Sequence, residues 1–130
     1  MATPIRGTIR SFDKPDDHVS KGGVEIEILQ MGDMKVKRAT YPPGWKFSTH
    51  MGAPKCQDTH VGYALSGRMT VELHDGTRLE FKAGSVLVIP AGHDAWVVGD
   101  EPWPCTIVQF DEGESAARRF NVEIPATKAA

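Results

Sequence analysis

Gly84-Ser-Val-Leu-Val-Ile-Pro90-Ala-Gly92-His93-Asp94 is the stretch whose reading decides the fold. A glycine leads into an apolar run, a proline closes it, and Gly92 with a polar pair follows. That order describes a barrel strand that ends in a tight turn aiming a histidine. Val86 to Ile89 is apolar without interruption, which predicts a strand buried on both faces. A second histidine-bearing segment stands upstream. It is Pro43-Gly44-Trp45-Lys46-Phe47-Ser48-Thr49-His50, followed by His60 and Gly67. The two segments together predict a small β-barrel with a metal or ligand site in its mouth.

Outward from this stretch, turn signals arrive every eight to twelve residues, among them Gly22-Gly23, Gly32-Asp33, Pro42-Pro43-Gly44 and Asp75-Gly76. The runs between them alternate. Val24, Ile26 and Ile28 are interleaved with Glu25 and Glu27, and Met69, Val71 and Leu73 with Thr70 and Glu72. Leu79 and Phe81 alternate with Glu80 and Lys82 after Asp75-Gly76. The rhythm predicts an all-β protein with little helix. Asp75-Gly76 between two alternating runs predicts a hairpin with a type I′ turn, whose central residues both take positive φ. Only Glu114 to Phe120 reads as helical. One domain is expected over 1–130, with a barrel core over about 24–112, an N-terminal arm over 1–23 and a C-terminal tail over 113–130.

Composition narrows the function classes. A chain of 130 residues can bury one core without disulfide staples. The formal net charge of -2 gives no basic footprint for nucleic acid or an anionic membrane, so neither is expected as a partner. Two cysteines, Cys56 and Cys105, do not make a disulfide framework. Met1 to Arg6 lacks the apolar core of a secretory signal, and Val86 to Ala91 is too short to span a bilayer. The expectation is a soluble cytoplasmic protein.

Read as strands, the histidine segments place particular side chains together. Lys46, Ser48 and His50 share one face, and Trp45, Phe47 and Thr49 the other. His60 aligns with Gly62 and Ala64, and His93 with Ala95 and Val97. Each histidine then lies on the face with the smaller neighbours, which leaves room for a metal or a ligand. Tyr63, on the opposite face from His60, reads as core. His18 and His74 read as solvated, and Cys105 as plain core.

These segments resemble the cupin family. Its first motif runs G-x5-H-x-H-x3-4-E-x6-G, and here Gly44-x5-His50 and His60-x6-Gly67 match its two ends. His60-Val-Gly-Tyr63-Ala-Leu65-Ser-Gly67 is similar to the family's E-x-x-Y-V-L-x-G strand, with histidine where glutamate usually stands. The second motif runs G-x5-P-x-G-x2-H-x3-N, and Gly84-x5-Pro90-x-Gly92 matches without a gap. The likeness covers roughly residues 36 to 110. It implies a double-stranded β-helix, or jelly-roll barrel, often dimeric. The departures are as specific as the matches. The second histidine of the pair falls on Gly52, about four extra residues separate His50 from His60, and the second-motif histidine falls on Ala95. His93 lies two residues earlier, about 6.6 Å along a strand.

The resemblance therefore implies a variant metal site of His50, His60 and His93. Cys56 is a further ligand candidate and Asp94 a supporting carboxylate. Trp45, Lys46, Ser48 and Trp96 are expected at the pocket mouth. Histidine ligands accept Fe, Zn, Ni or Mn without choosing among them. The chemistry implied is oxidation, isomerisation or elimination on a small organic molecule. The alternative is a non-catalytic ligand-binding or sensing barrel with a degenerate metal site. A homodimer is expected through the family, with Val24 to Met31 as the candidate partner edge.

Overall fold

Glycine pairs and prolines cut the chain into short strands, and each cut is visible in the computed structural model, which describes residues 7–99 and 104–111. The first three strands are β1 (Asp17–Lys21), β2 (Val24–Met31) and β3 (Met34–Tyr41). A single helical turn, α1 (Phe47–His50), follows. Then come β4 (His60–Ser66), β5 (Arg68–Glu72), β6 (Arg78–Lys82), β7 (Val86–Ile89), β8 (Asp94–Val97) and β9 (Cys105–Asp111). A six-stranded sheet has the order β1-β2-β3-β9-β4-β7, and a three-stranded sheet the order β6-β5-β8. All pairings are antiparallel. The all-β jelly-roll reading is correct. Among the described residues no helix is long and apolar enough to cross a membrane. The expected helix at Glu114 to Phe120 and the tail over 113–130 lie outside the described residues.

The inward phases of the two sheets meet in one core. Val24, Ala39, Trp45, Met69, Val71, Leu87, Ile89, Ala95, Cys105 and Ile107 form its buried cluster. Fully burying an aliphatic side chain of this size contributes roughly 1.5–3 kcal/mol, so the interleaved apolar positions hold the two sheets together.

Several local expectations are corrected. Val86 to Ile89 alternates instead of being buried on both faces. Leu87 and Ile89 point inward, while Val86 is 77% and Val88 39% exposed. Val86 and Val88 lie on the outer face of the sheet, turned away from the core that Leu87 and Ile89 join. Tyr63, paired with Val86 on that outer face, is 41% exposed and is not core. Val24 to Met31 is no free edge, because β1 and β3 flank it on either side. The β5–β6 hairpin exists, but its turn differs from the type I′ reading. Gly76 N–H bonds to Leu73 O at 2.9 Å, so His74 and Asp75 are the central residues and Gly76 follows them at φ 88°. Asp75 is set there by its carboxylate, which accepts the Thr77 N–H at 2.9 Å. Type I′ chemistry occurs instead at Gly22-Gly23, where both residues have positive φ between Lys21 and Val24.

Gly62 matters for closure of the larger sheet. It sits opposite Gln109 on β9 and Leu87 on β7. A Cβ there would collide with the Val108 carbonyl oxygen, a backbone atom that cannot swing away. Gly62→Ala is therefore expected to cost about 2–4 kcal/mol in urea denaturation. Gly76→Ala, which meets nothing within 4 Å, should cost only the left-handed backbone penalty of about 1 kcal/mol. Equal costs at the two positions would show that the β4–β9 contact is not close.

Candidate metal centre

Three side chains converge where β4 begins, where the loop before it ends and where β8 is about to start. His60 is the first residue of β4. His93 precedes β8 in the turn that Pro90 and Gly92 create. Cys56 arrives from the loop after α1 and is fixed by an isolated antiparallel bridge to His93. Cys56 N–H donates to His93 O at 2.7 Å, and Gly92 N–H donates to Cys56 O at 2.7 Å. The loop is thereby stitched to the turn, and the thiol is delivered beside the imidazoles.

Their geometry suits a cation. One ligand atom from each of Cys56, His60 and His93 lies within 4.8 Å of the other two. Cys56 Sγ is 3.5 Å from His60 Nε2. The His60 and His93 ring centroids are 5.1 Å apart, edge to face at 69°. Tetrahedral zinc with bonds of about 2.0–2.3 Å holds its ligand atoms about 3.3–3.8 Å apart, so the Cys56–His60 spacing already matches and the widest needs only a small side-chain rotation. His93 Nδ1 lies 2.8 Å from the Pro90 carbonyl oxygen. A carbonyl only accepts, so Nδ1 carries the proton and Nε2 keeps its lone pair.

Burial sets the protonation states. Desolvation lowers the His93 pKa below the ordinary histidine value, against the raising effects of the Pro90 bond and of Asp58 and Asp94. A neutral imidazole able to ligate is the result. Desolvation also raises the Cys56 thiol. Without a cation nearby the sulfur therefore holds its proton, and a metal must displace it.

The three donors line one end of a cavity of about 160 Å³ between the sheets. Asp58 lines the cavity too, and Val71, Phe81 and Leu87 are among its apolar walls. Gln109 Nε2 donates to Tyr41 Oη at 3.1 Å, and both residues line the cavity. The Tyr41 phenol is driven upward by burial and stays protonated. Trp45, 4% exposed, also lines the cavity, and its Nε1–H has no acceptor.

His60, His93, Cys56 and Trp45 are thus brought to the cavity, while other residues singled out from sequence are not. His50 is outside the donor cluster. The segment expected as a strand turns into α1, so the two-residue alternation that grouped Lys46, Ser48 and His50 does not apply. The exposed His50 ring folds back on its own turn, with Nδ1 3.0 Å from the Lys46 N–H nitrogen, while its carbonyl packs against Gly22. Lys46 and Ser48 do not line the cavity. Lys46 instead places its ammonium 5.0 Å from the Trp96 ring, whose surroundings also include the Arg78 guanidinium at 5.1 Å. Trp96 is therefore a half-buried ring flanked by cations and not a wall of the cavity. Asp94 does not orient a histidine. It is buried, and its Oδ1 accepts the Ser48 N–H at 3.0 Å and the Ala95 N–H at 2.9 Å, tying α1 to β8.

Tyr41, Asp58 and Gln109 were not legible as site residues. Gln109 did carry a signal. It shares the inward phase of β9 with Cys105 and Ile107, and a polar residue in an apolar phase marks a lined cavity.

Two antiparallel sheets closing on a cavity, with candidate ligands at one end, define a cupin-type barrel. Comparison with solved structures agrees. An RmlC-like cupin from Shewanella frigidimarina aligns with TM-score 0.57 and 14% identity over 81% of this chain and 89% of that one. A cupin 2 conserved barrel protein from Salinispora arenicola aligns with TM-score 0.54 and 18% identity over 93% and 98%. Oxalate decarboxylase from Bacillus subtilis aligns with TM-score 0.52 and 20% identity over 75% of this chain and 27% of its own. No family model matches the sequence, and neither does any curated protein. The chain is a small protein of the cupin fold.

Asp94→Ala strands the Ser48 N–H and should cost about 1–3 kcal/mol by urea denaturation. Asp94→Asn keeps an acceptor and should cost less. An Asp94→Ala variant as stable as the parent would show that α1 is held by other contacts.

Proposed function

We propose that the protein is a metal-dependent cupin that holds one divalent cation through Cys56, His60 and His93 and acts on a small organic molecule in the barrel cavity. The observation that carries this reading is the convergence of a thiol and two imidazoles, from three separate segments, on one end of that cavity. A thiol and two imidazoles within one ligand sphere are donors of the kind that hold a borderline-soft cation.

The donor set narrows the metal. One thiolate and two imidazoles make a borderline-soft site, which favours Zn²⁺, with Fe²⁺ and Ni²⁺ next and oxygen-preferring Mn²⁺ least. Three protein ligands leave one position for water or substrate. A bound cation would supply Lewis-acid polarisation of an oxygen at that position. The remaining work falls to the chain. Pro90 O fixes the His93 tautomer, and Cys56 releases its proton on metal uptake. The Asp58 carboxylate, at the cavity, is the group to accept a proton from the bound molecule. Oxidation, isomerisation and elimination all fit this equipment, and the barrel scaffold alone does not select one. A second reading, ligand binding without turnover, is favoured by the departure of this donor set from the family's three histidines and glutamate.

Tag-free protein should contain close to one equivalent of metal by elemental analysis. Cys56→Ser and His60→Ala should lose most of it, and His50→Ala should keep it. Cobalt substitution should give a thiolate-to-metal charge-transfer band that Cys56→Ser abolishes. Chelation should lower Tm by roughly 8–15 °C, corresponding to about 2.7 kcal/mol at a free metal concentration of about 100 Kd. Full metal content in the Cys56→Ser, His60→Ala double variant would overturn the assignment. So would a protein that neither carries metal nor gains stability from Zn²⁺, Fe²⁺ or Ni²⁺.

A further inference from the structure

The outer face of the larger sheet is apolar where β9, β4 and β7 lie side by side. Tyr63 on β4 stands opposite Val86 on β7 and Val108 on β9, and Val61 stands opposite Val88. Leu65, at the bulge of β4, and Phe110, two residues beyond Val108, complete the patch. These side chains turn away from the core. Val86 is 77%, Leu65 48%, Tyr63 41%, Val88 39% and Phe110 39% exposed. With roughly 150–250 Å² for a large side chain, this leaves on the order of 400 Å² of apolar surface uncovered. The other half of the same face is covered. Arg38 on β3 continues the row of Val108 and Tyr63, and the N-terminal arm sets the Phe12 ring 5.0 Å from its guanidinium. Leu29, in the row of Val36 and Phe110, is only 4% exposed.

A segment of this chain fits the uncovered half. After Asp111, residues 112–119 are charged or small, and Phe120-Asn-Val-Glu-Ile124 comes next with apolar and polar residues alternating. Alternation gives that segment one apolar side, made of Phe120, Val122 and Ile124. Three such side chains on a polar tail gain free energy only where something takes them out of water. The point of attachment suits the patch. β9 delivers the chain at Asp111, next to Phe110, and β4 alone separates β9 from β7, so the far side of the patch is about 10 Å away. Residues 112–119 reach about 12 Å if helical and up to about 26 Å if extended.

Size and concentration favour this occupant over a second copy of the chain. A stable interface between chains buries about 800 Å² on each partner, roughly twice the patch. A tethered segment meets the face at an effective concentration in the millimolar range, well above that of another chain in dilute solution. We infer that residues 120–124 dock on the outer face of β9, β4 and β7 of their own chain, with Phe120, Val122 and Ile124 against Tyr63, Leu65, Val86 and Val88. The docked segment closes the apolar surface behind the strand that carries His60 and leaves the barrel cavity free. It does not depend on a bound metal.

The test uses the full chain in solution. Nuclear Overhauser contacts between the Phe120 ring and the methyls of Leu65, Val86 and Val88 are measured in ¹³C-labelled protein, and again in isotope-filtered spectra of labelled and unlabelled chains mixed. The contacts should be present in the first sample and absent from the filtered spectra. Phe120→Leu should move the Val86 and Val88 methyl resonances. A Phe120→Ser, Val122→Ser, Ile124→Ser variant should bind an apolar dye about three- to tenfold more than the parent, and should self-associate in sedimentation where the parent stays monomeric. Should that variant fail to fold, the contacts in the parent and the Phe120→Leu shifts give the answer alone. Absence of Phe120 contacts to the face would overturn the inference, as would unchanged dye binding in the folded triple variant. Contacts seen only between chains would place a second copy, or its tail, on the face and overturn it too.

Discussion

Two backbone hydrogen bonds, Cys56 N–H to His93 O and Gly92 N–H to Cys56 O, decide where the candidate metal ligands meet. They join a loop with no strand partner of its own to a turn whose shape Pro90 and Gly92 dictate. Everything at the mouth follows from that seam. It sets the sulfur beside the imidazoles, it buries His93 enough to keep the ring neutral, and the Pro90 carbonyl fixes which ring nitrogen holds the proton. The donor set then depends on main-chain geometry, which is stiffer than any side-chain network of the same size.

The barrel was legible because its punctuation is local. Gly22-Gly23 closes a hairpin and Asp75-Gly76 another, and Val24 and Ile26 in β2 and Met69 and Val71 in β5 turn to the core two residues apart, so strands and turns could be read without knowing what packs on them. The site was only partly legible because convergence is not local. His60 stood at the motif's glutamate position and His93 two residues before the motif's histidine, both on small-residue faces, and both reach the cavity. His50 stood in a motif position as well. Its segment coils after Lys46, where the Ser48 N–H of α1 bonds Asp94, a residue 46 positions away on the adjoining β8, and no pattern around residues 45 to 50 announces that partner. Cys56 was a ligand candidate whose place no local pattern fixed, because it is set by a bridge to a residue 37 positions away.

The edge at β7 shows the same division between local pattern and sheet context. Four apolar residues in a row suggested burial on both faces, yet only one face of the sheet meets the core, and Val86 and Val88 lie on the other. Periodicity reports what a residue would prefer to do. Strand order determines whether a neighbour is there to let it.

The position of β9 in the larger sheet has a kinetic consequence. This last described strand lies in the middle, between β3 and β4, which have no pairing with each other. Until residues 105–111 arrive, the sheet exists as two separate pieces, and the pairing of Lys35 with Asp111 must close a loop of more than seventy residues. A chain emerging from the ribosome cannot zip this barrel progressively. It must hold its hairpins open and wait, and then assemble in a single late event of high contact order. Tyr41 and Gln109, whose side chains meet across the β3–β9 seam, come together in that final step. The cavity they line is thus among the last features of the molecule to form.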